Sequence, residues 1–454
     1  MSFLAMKWPS PLLLSLACLV QFAASPALSA KDAPLPQELS TYLAKAEPES
    51  GWTLKAKSEF GECDYWHLNL KSQVWQDIPW EHDLVIFKPK NVTSEGKMVL
   101  LNEGGSFKPD KAMYGAFLAN KMKVPVAIVL GVPKQPLFDG KREDDLIAET
   151  FIRYLETGDA SWPLLFPMVK TVVKAMDAVG EFTGKDWGVK TDKFLLTGAS
   201  KRGWTTWLTA SSDPRVFAIA PMVIDVLNIP AQLPLQMDRF GKPSEQISPY
   251  TSRGLIPLGE TAAAKRLWSM VDPYTYRAKY TMPKLILLGN NDPYWSPDAL
   301  NVYWDETPGD KYISYTPNAG HNLMEVDASG IRQPLPMRAL DNITAFVRAQ
   351  FTGVALPKLG WKHGEAADGK LSLTVTADQP AKEARLWIAK SATKDFRKAR
   401  WESQPLETGD GKSITAMVAK PESGYIAYYA DLNYEVDGTP LWLCTQLRLA
   451  GEGL

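Results

Sequence analysis

The sequence KFLLTGASKRGW at residues 193–204 holds the most informative pattern in this chain of 454 residues. Its first half is an apolar run typical of a buried strand, and the residues after Ser200 are typical of a helix. The small residues Gly198 and Gly203 permit a tight turn between the two elements. A serine on such a turn projects its hydroxyl outward, beside the free N–H groups at the start of the helix. The pattern therefore predicts that Ser200 is a nucleophile.

Two downstream segments supply the partners that a serine nucleophile needs. Residues 285–295, LILLGNNDPYW, are typical of a buried strand that ends in a turn presenting Asp292. Residues 312–315, YISY, predict a short strand, and the loop after it presents His321. We predict that His321 is the general base and that Asp292 orients it. The chain order serine, aspartate, histidine, each after a parallel strand, is that of α/β-hydrolases rather than of the chymotrypsin or subtilisin folds.

A second aspartate competes for the role of the acid. Asp225 ends the apolar run at residues 218–224, and its carboxylate has a route to His321 from there. The position directly before the histidine-bearing strand is the more usual one for the acid of a triad. The sequence therefore favours Asp292 and leaves Asp225 as the alternative.

The chain contains only four histidines, so few residues are candidates for the general base. His67 and His82 lie in the N-terminal strand region and His363 lies in a C-terminal segment, so only His321 has the position that the triad requires. The sequence contains no Cys-x-x-Cys, His-Glu-x-x-His or P-loop pattern. We therefore expect a mechanism that uses no metal ion and no other cofactor.

A glycine pair predicts one donor of an oxyanion hole. Residues 102–106, NEGGS, follow a predicted strand upstream of the nucleophile. Acyl transfer builds negative charge on the carbonyl oxygen, and the loss of one N–H donor to that charge costs about 3 kcal/mol. Our candidates are the backbone N–H groups of Gly105 and Lys201. The alternative is that the two glycines only form a turn.

The remaining patterns predict an α/β fold with a mostly parallel sheet flanked by helices. Strands at residues 97–102 and 124–130 enclose a helix at residues 110–122, which is typical of a parallel strand-helix-strand unit. Apolar and polar residues alternate over residues 52–87, as they do in antiparallel strands. The proline-rich residues 229–279 are irregular and predict a cap insertion that selects the substrate. We assign the hydrolase domain to residues 31–354.

A second domain is predicted at residues 355–454. Its alternating segments have the spacing of an immunoglobulin-like β-sandwich that either docks a partner or covers the hydrolase. The segments are residues 370–376, 384–389, 413–418, 425–430 and 441–444.

Several motifs resemble those of the PhoPQ-activated pathogenicity-related family. The motifs are TGASKRGWT at residues 197–205, GNNDPYW at 289–295, NAGHN at 318–322, SQVW at 72–75, WEH at 80–82, ARLW at 384–387 and DFR at 395–397. The resemblance covers nearly the whole mature chain. It implies an α/β-hydrolase fold with its catalytic machinery, and it does not imply a particular substrate.

The N-terminal residues predict export. A lysine precedes the apolar residues 11–20, small residues continue to position 30, and this pattern is typical of a secretory signal peptide at residues 1–30. The apolar stretch is too short for stable membrane insertion, so we expect a periplasmic or secreted protein.

Cys63 and Cys444 then remain in the mature chain, and whether they form a disulfide stays open. The net charge of −1 argues against binding to nucleic acid.

An acidic segment bears on the substrate. Glu143 and Glu149 lie at the start of a predicted helix, where acids complement the helix dipole. The alternative is that one of them binds the ammonium group of a peptide substrate, as in an aminopeptidase.

Together the patterns predict a serine hydrolase that cleaves a small-molecule ester or a peptide through an acyl-enzyme. A non-catalytic binding protein on a hydrolase scaffold is the alternative from another class.

Overall fold

A computed structural model describes residues 34–454, and the signal peptide predicted at residues 1–30 lies outside them. The first nine strands of the described chain belong to one mixed sheet. They are β1 (Gly51–Phe60), β2 (Cys63–Trp75), β3 (Ile78–Pro89), β4 (Lys97–Asn102), β5 (Val126–Val129), β6 (Lys193–Ala199), β7 (Val216–Met222), β8 (Lys284–Gly289) and β9 (Lys311–Thr316).

The order of the central strands is β2-β3-β5-β4-β6-β7-β8-β9. Strands β4 to β9 are parallel to one another, whereas β3 is antiparallel to both of its neighbours, β2 and β5. This exchange of β4 and β5 in an otherwise sequential sheet, with a serine turn after β6, is the α/β-hydrolase fold. The predicted fold class is confirmed.

Helices cover both faces of the sheet because the strands are apolar on both sides. The helices are α1 (Glu38–Ala44), α2 (Pro109–Met122), α3 (Glu143–Thr157), α4 (Leu165–Asp186), α5 (Lys201–Ser212), α6 (Ile229–Phe240), α7 (Ser248–Thr251), α8 (Ala262–Val271) and α9 (Met337–Thr352). Helices α2 and α9 share one apolar cluster with alternate residues of the central strands, such as Leu195 and Leu287. Helices α4 and α5 pack against each other, and α5 packs on β6 and β7. No helix among residues 34–454 is both long enough and apolar enough to cross a membrane.

The cap segment at residues 229–279 is more helical than its sequence indicates. It lies between β7 and β8 and contains α6, α7 and α8, with 3-10 turns at Glu245–Ile247 and Pro273–Lys279. A proline in the first turn of α6 removes no intrahelical hydrogen bond, so it does not prevent the helix. Thr261 caps α8 by accepting a hydrogen bond of 3.1 Å from the N–H of Ala264.

The C-terminal strands form the predicted β-sandwich. They are β10 (Leu359–Glu365), β11 (Leu371–Ala377), β12 (Glu383–Ser391), β13 (Trp401–Pro405), β14 (Ser413–Val418), β15 (Tyr425–Val436), β16 (Thr439–Cys444) and β17 (Arg448–Gly451). Strands β10, β11 and β14 form one sheet, and the other five strands continue the central sheet because β16 pairs with β9. The boundary predicted between residues 354 and 355 falls between α9 and β10 and stays a prediction.

Cys63 and Cys444, the two cysteines among residues 34–454, do not form a disulfide with each other. Cys63 lies in β2 and Cys444 lies in β16, and both are free and buried. Seven strands separate β2 from β16 in the sheet. With strands about 4.8 Å apart, the two residues are tens of ångströms from each other, far beyond the reach of an S–S bond.

Candidate active site

Ser200 stands on a strained turn between β6 and α5. Strand β6 ends at Ala199 and α5 begins at Lys201. The backbone of Ser200 has φ 57° and ψ −127°, a conformation that residues with a side chain rarely adopt. Its N–H donates a hydrogen bond of 2.9 Å to the carbonyl of Met222 at the end of β7. This is the geometry of a nucleophile elbow, which exposes the serine at the carboxyl edge of the sheet.

The glycines on either side of Ser200 are required by close packing. A Cβ atom on Gly198 would lie 2.6 Å from the Asn102 side-chain amide, and one on Gly203 would lie 2.6 Å from Cγ2 of Ile224. Both distances are below any ordinary contact of a Cβ atom. The turn that the sequence predicts therefore depends on the absence of a side chain at both positions.

His321 and Asp292 form a hydrogen-bonded pair next to this turn. Nδ1 of His321 lies 2.7 Å from Oδ2 of Asp292, and the other carboxylate oxygen accepts the N–H of Tyr294 at 2.8 Å. The ring of Tyr294 stacks on the imidazole with the centroids 4.4 Å apart. Nε2 of His321 is buried and has no hydrogen-bond partner within residues 34–454. His321 and Ser200 line the same pocket, and the role of His321 as general base stays a prediction.

Asp225 has a different partner. Its carboxyl accepts a hydrogen bond of 2.5 Å from the hydroxyl of Tyr303. Burial raises the pKa of Asp225 to about 7; the hydrogen bond from Tyr303 opposes this shift, and the charges of Asp292 and Asp298 add to it. The structure therefore pairs the histidine with the favoured acid and not with the alternative one. The catalytic role of either aspartate stays a prediction.

The two predicted oxyanion donors lie near Ser200. Gly105 has φ +76° and lines the same groove as Ser200. Lys201 is the first residue of α5, so its N–H belongs to the group that the helix leaves without an intrahelical acceptor. Both residues therefore lie beside the turn that carries Ser200. Their assignment as an oxyanion hole stays a prediction.

A cluster of ion pairs lies next to the turn at Ser200, and the sequence does not reveal it. Glu143 accepts two hydrogen bonds from the Arg202 guanidinium, at 2.6 and 2.8 Å, and it lies 2.9 Å from Nζ of Lys201. Burial acts to raise the pKa of Glu143, but the bonds and charges of Arg202 and Lys201 outweigh it and hold that pKa well below its usual range. Lys201 also contacts Asp144 at 3.3 Å. The only hints in the sequence are the acids at positions 143–145 and the two cations after Ser200.

The same contacts bear on the alternative that Glu143 or Glu149 binds a substrate ammonium. Both cations of the cluster already neutralise Glu143. Glu149 pairs with Arg153 at 3.0 Å and with Lys141 at 3.7 Å. Neither carboxylate is therefore left without a cationic partner.

The C-terminal sandwich holds the loops that carry the acid and the histidine. The side-chain amide of Asn291, next to Asp292, donates to the carbonyl of Ala399 at 2.8 Å. Asn318, in the histidine loop, exchanges two hydrogen bonds with the backbone of Trp401, at 2.8 and 2.9 Å. The sandwich therefore contacts both loops, and whether its role is to cover the hydrolase or to dock a partner stays a prediction.

The other histidines have structural partners. His67 bonds to Asp83 at 2.7 Å, and Nε2 of His363 contacts the carbonyl of Gln446 at 3.1 Å. His82 is buried, and burial lowers its pKa to about 4. Over residues 34–454, no three side chains among His, Cys, Asp and Glu are arranged to hold a metal ion.

With this geometry established, the chain can be compared with known proteins. The model of the PhoPQ-activated pathogenicity-related protein family matches residues 39–397. The chain belongs to this family. It is 29% identical over 436 residues to autocrine proliferation repressor protein A of Dictyostelium discoideum, a match that covers 87% of this chain and 85% of that protein.

Two solved structures of esterases resemble this member of the family. An acetyl xylan esterase from Paenibacillus sp. R4 is 13% identical with a TM-score of 0.49, and the match covers 69% of this chain and 92% of the esterase. Acetyl xylan esterase 1 from Thermoanaerobacterium sp. JW/SL YS485 is 15% identical with a TM-score of 0.45, covering 63% of this chain and 89% of the esterase.

Proposed function

We propose that this protein is a serine hydrolase that cleaves a carboxylic ester or amide through an acyl-enzyme. The observation that carries the proposal is the hydrogen bond between His321 and Asp292, with Nε2 of the histidine buried, without a partner among the described residues 34–454, and in a pocket that Ser200 lines. A base that is oriented by an acid and lacks a competing partner has the arrangement that activates a serine.

The proposed reaction proceeds in two halves. Oγ of Ser200 attacks the acyl carbon while Nε2 of His321 takes its proton, and Asp292 stabilises the cationic imidazole. The N–H groups of Gly105 and Lys201 receive the oxyanion. The intermediate collapses when His321 returns the proton to the leaving oxygen or nitrogen. Water then attacks the acyl-enzyme with His321 again as the base.

Within this proposal we favour an ester over a peptide with a free amino terminus. An aminopeptidase must neutralise the substrate ammonium, and burying that charge without a partner is costly. The two glutamates predicted for this task, Glu143 and Glu149, are both engaged by cations of the chain itself. An ester makes no such demand.

The test is labelling with a fluorophosphonate probe. The folded wild type should become covalently modified at Ser200, and Ser200→Ala, checked for folding by circular dichroism, should not. A folded wild type that resists the probe would support the alternative of a binding protein without catalysis.

We also propose that the protein is exported to the periplasm or secreted. The support is the signal-peptide pattern of residues 1–30. N-terminal sequencing of the protein recovered from cells should find a mature chain that begins near residue 31, and an intact N-terminus would contradict the proposal.

A further inference from the structure

Two cavities of different polarity meet at Ser200. One, the chamber, lies beneath the cap and also contains His321. The other, the groove, runs along the segment between β4 and α2 and also contains Gly105. Including their open mouths, they enclose about 660 and 1260 Å³ respectively. A substrate bound at Ser200 therefore borders both cavities.

The chamber is apolar. Its walls come from α5, the end of β7, the cap and the acid loop, and they include Trp204, Ile224, Ile229, Leu233, Trp268 and Trp295. The two glutamines in the wall direct their amide groups elsewhere: Gln232 donates to the carbonyl of Ala299 at 3.0 Å and Gln236 to that of Tyr294 at 2.8 Å. Such a wall stabilises an apolar group that leaves water.

The charges in the chamber are matched within the protein. Asp144 accepts hydrogen bonds from the hydroxyls of Tyr250 and Tyr294, at 3.1 and 3.4 Å, and contacts Lys201 at 3.3 Å. With Glu143 and Arg202, this cluster contains two carboxylates and two cations. Asp144 and Lys201, which line the chamber within residues 34–454, neutralise each other, so the chamber suits a neutral group.

The groove is more polar than the chamber and is open to water. Its lining includes Ser106, Lys108 and Asp110, which are exposed, and the ion pair of Glu103 with Lys111. Hydroxyl or charged groups of a ligand find both donors and acceptors there without leaving water completely.

We propose that the substrate is an amphiphilic ester, with one neutral apolar half, aromatic or branched, in the chamber and one hydrophilic half in the groove. The inference rests on the proposed function, because it takes the bond cleaved at Ser200 as the junction of the two halves. It adds the substrate class that the triad itself does not specify.

A matched panel of four esters tests the inference. Phenylacetic and glycolic acid are each esterified with benzyl alcohol and with glycerol, and hydrolysis is followed by proton release. One of the two mixed esters should have the highest kcat/KM, about tenfold or more above glyceryl glycolate, because one phenyl group is then buried. The better mixed ester also shows which half enters the chamber. A highest value for glyceryl glycolate or for benzyl phenylacetate would overturn the inference.

A pair of variants on α6 places the effect in the chamber. Leu233 lines the chamber and Leu235, two residues later on the same helix, does not. Leu233→Trp should lower kcat/KM for the phenyl-bearing esters more than for glyceryl glycolate, whereas Leu235→Trp should leave all four values unchanged. An equal loss on all four esters in Leu233→Trp would contradict the inference.

A measurement on the wild type covers the case in which Leu233→Trp does not fold. Ser200 should be labelled faster by a phenylalkyl fluorophosphonate than by one with a polyether chain. Equal rates of labelling would overturn the inference and leave the serine hydrolase intact. The absence of labelling by both probes, together with no hydrolysis of any ester, would instead reject the proposed function.

Discussion

The hydroxyl of Tyr303 donates a 2.5 Å hydrogen bond to the carboxyl group of Asp225. Asp225 thus has Tyr303 as its partner, and the carboxylate that contacts His321 is that of Asp292. Asp292→Asn should therefore lower kcat by about 10³- to 10⁴-fold, since an amide favours the wrong imidazole tautomer. Asp225→Asn should retain most of the activity. Ester hydrolysis by the two purified variants is the measurement, and the reverse ranking would reassign the acid.

The substitutions Ser200→Ala and His321→Ala should each abolish turnover without unfolding the protein. Residues that act as a unit in proton transfer have effects that do not add. The double variant should therefore be no slower than either single one. Steady-state rates and thermal unfolding of all three variants provide the comparison. Independent, multiplicative losses would show that the two side chains do not act together.

Glu143 should make stability depend on acid pH. Its pKa is lower in the folded chain than the ordinary value of a glutamate, so the stabilisation is present above about pH 4.3 and is lost as the pH falls below that value. Glu143→Gln should cost about 1–2 kcal/mol at pH 7, allowing for solvent screening at a side chain that is 40% exposed.

Urea unfolding of wild type and Glu143→Gln between pH 7 and pH 3 checks this prediction. The difference in unfolding free energy should shrink towards pH 3. Glu422→Gln, at an exposed site in the sandwich, serves as the control and should follow the wild type at every pH. A constant difference across the range would mean that Glu143 does not contribute through its charge.

The thiols of Cys63 and Cys444 should be free and unreactive in the folded state. Burial raises the pKa of Cys63 to about 11 and that of Cys444 to about 12, so neither forms much thiolate at pH 8. A thiol reagent should find no reactive group in the native protein without residues 1–30, and two in denaturant. Fewer than two thiols in unreduced, denatured protein would indicate an unexpected disulfide.

The local parts of the site were accessible from the sequence. Strand β6 and its turn depend on a short apolar run and two glycines, and the acid and histidine loops follow two further apolar strands. The chain order of the three residues then restricts the fold, because parallel strands bring their carboxyl ends to one edge of a sheet. These features are local, and the sequence displays them directly.

The contacts that complete the site cannot be predicted from the sequence. Arg202 and Glu143 are 59 residues apart, and Asn318 and Trp401 are 83 apart. A single ion pair or amide contact over such a distance has no periodic signal in the chain. The cap also differs from its prediction. Its prolines predict irregular backbone, but one of them lies in the first turn of α6, where proline is tolerated.

The contacts of Asn291 and Asn318 with the sandwich have a consequence for biosynthesis. Their partners, Ala399 and Trp401, follow them in the chain by 108 and 83 residues and are therefore synthesised later. β16, which covers the edge of β9, comes later still. Until these residues have emerged, the loops that carry the acid and the histidine lack their support, and β9 is an open edge prone to wrong pairing. The two loops of the proposed triad therefore gain this support only after the growing chain has been extended well past β9.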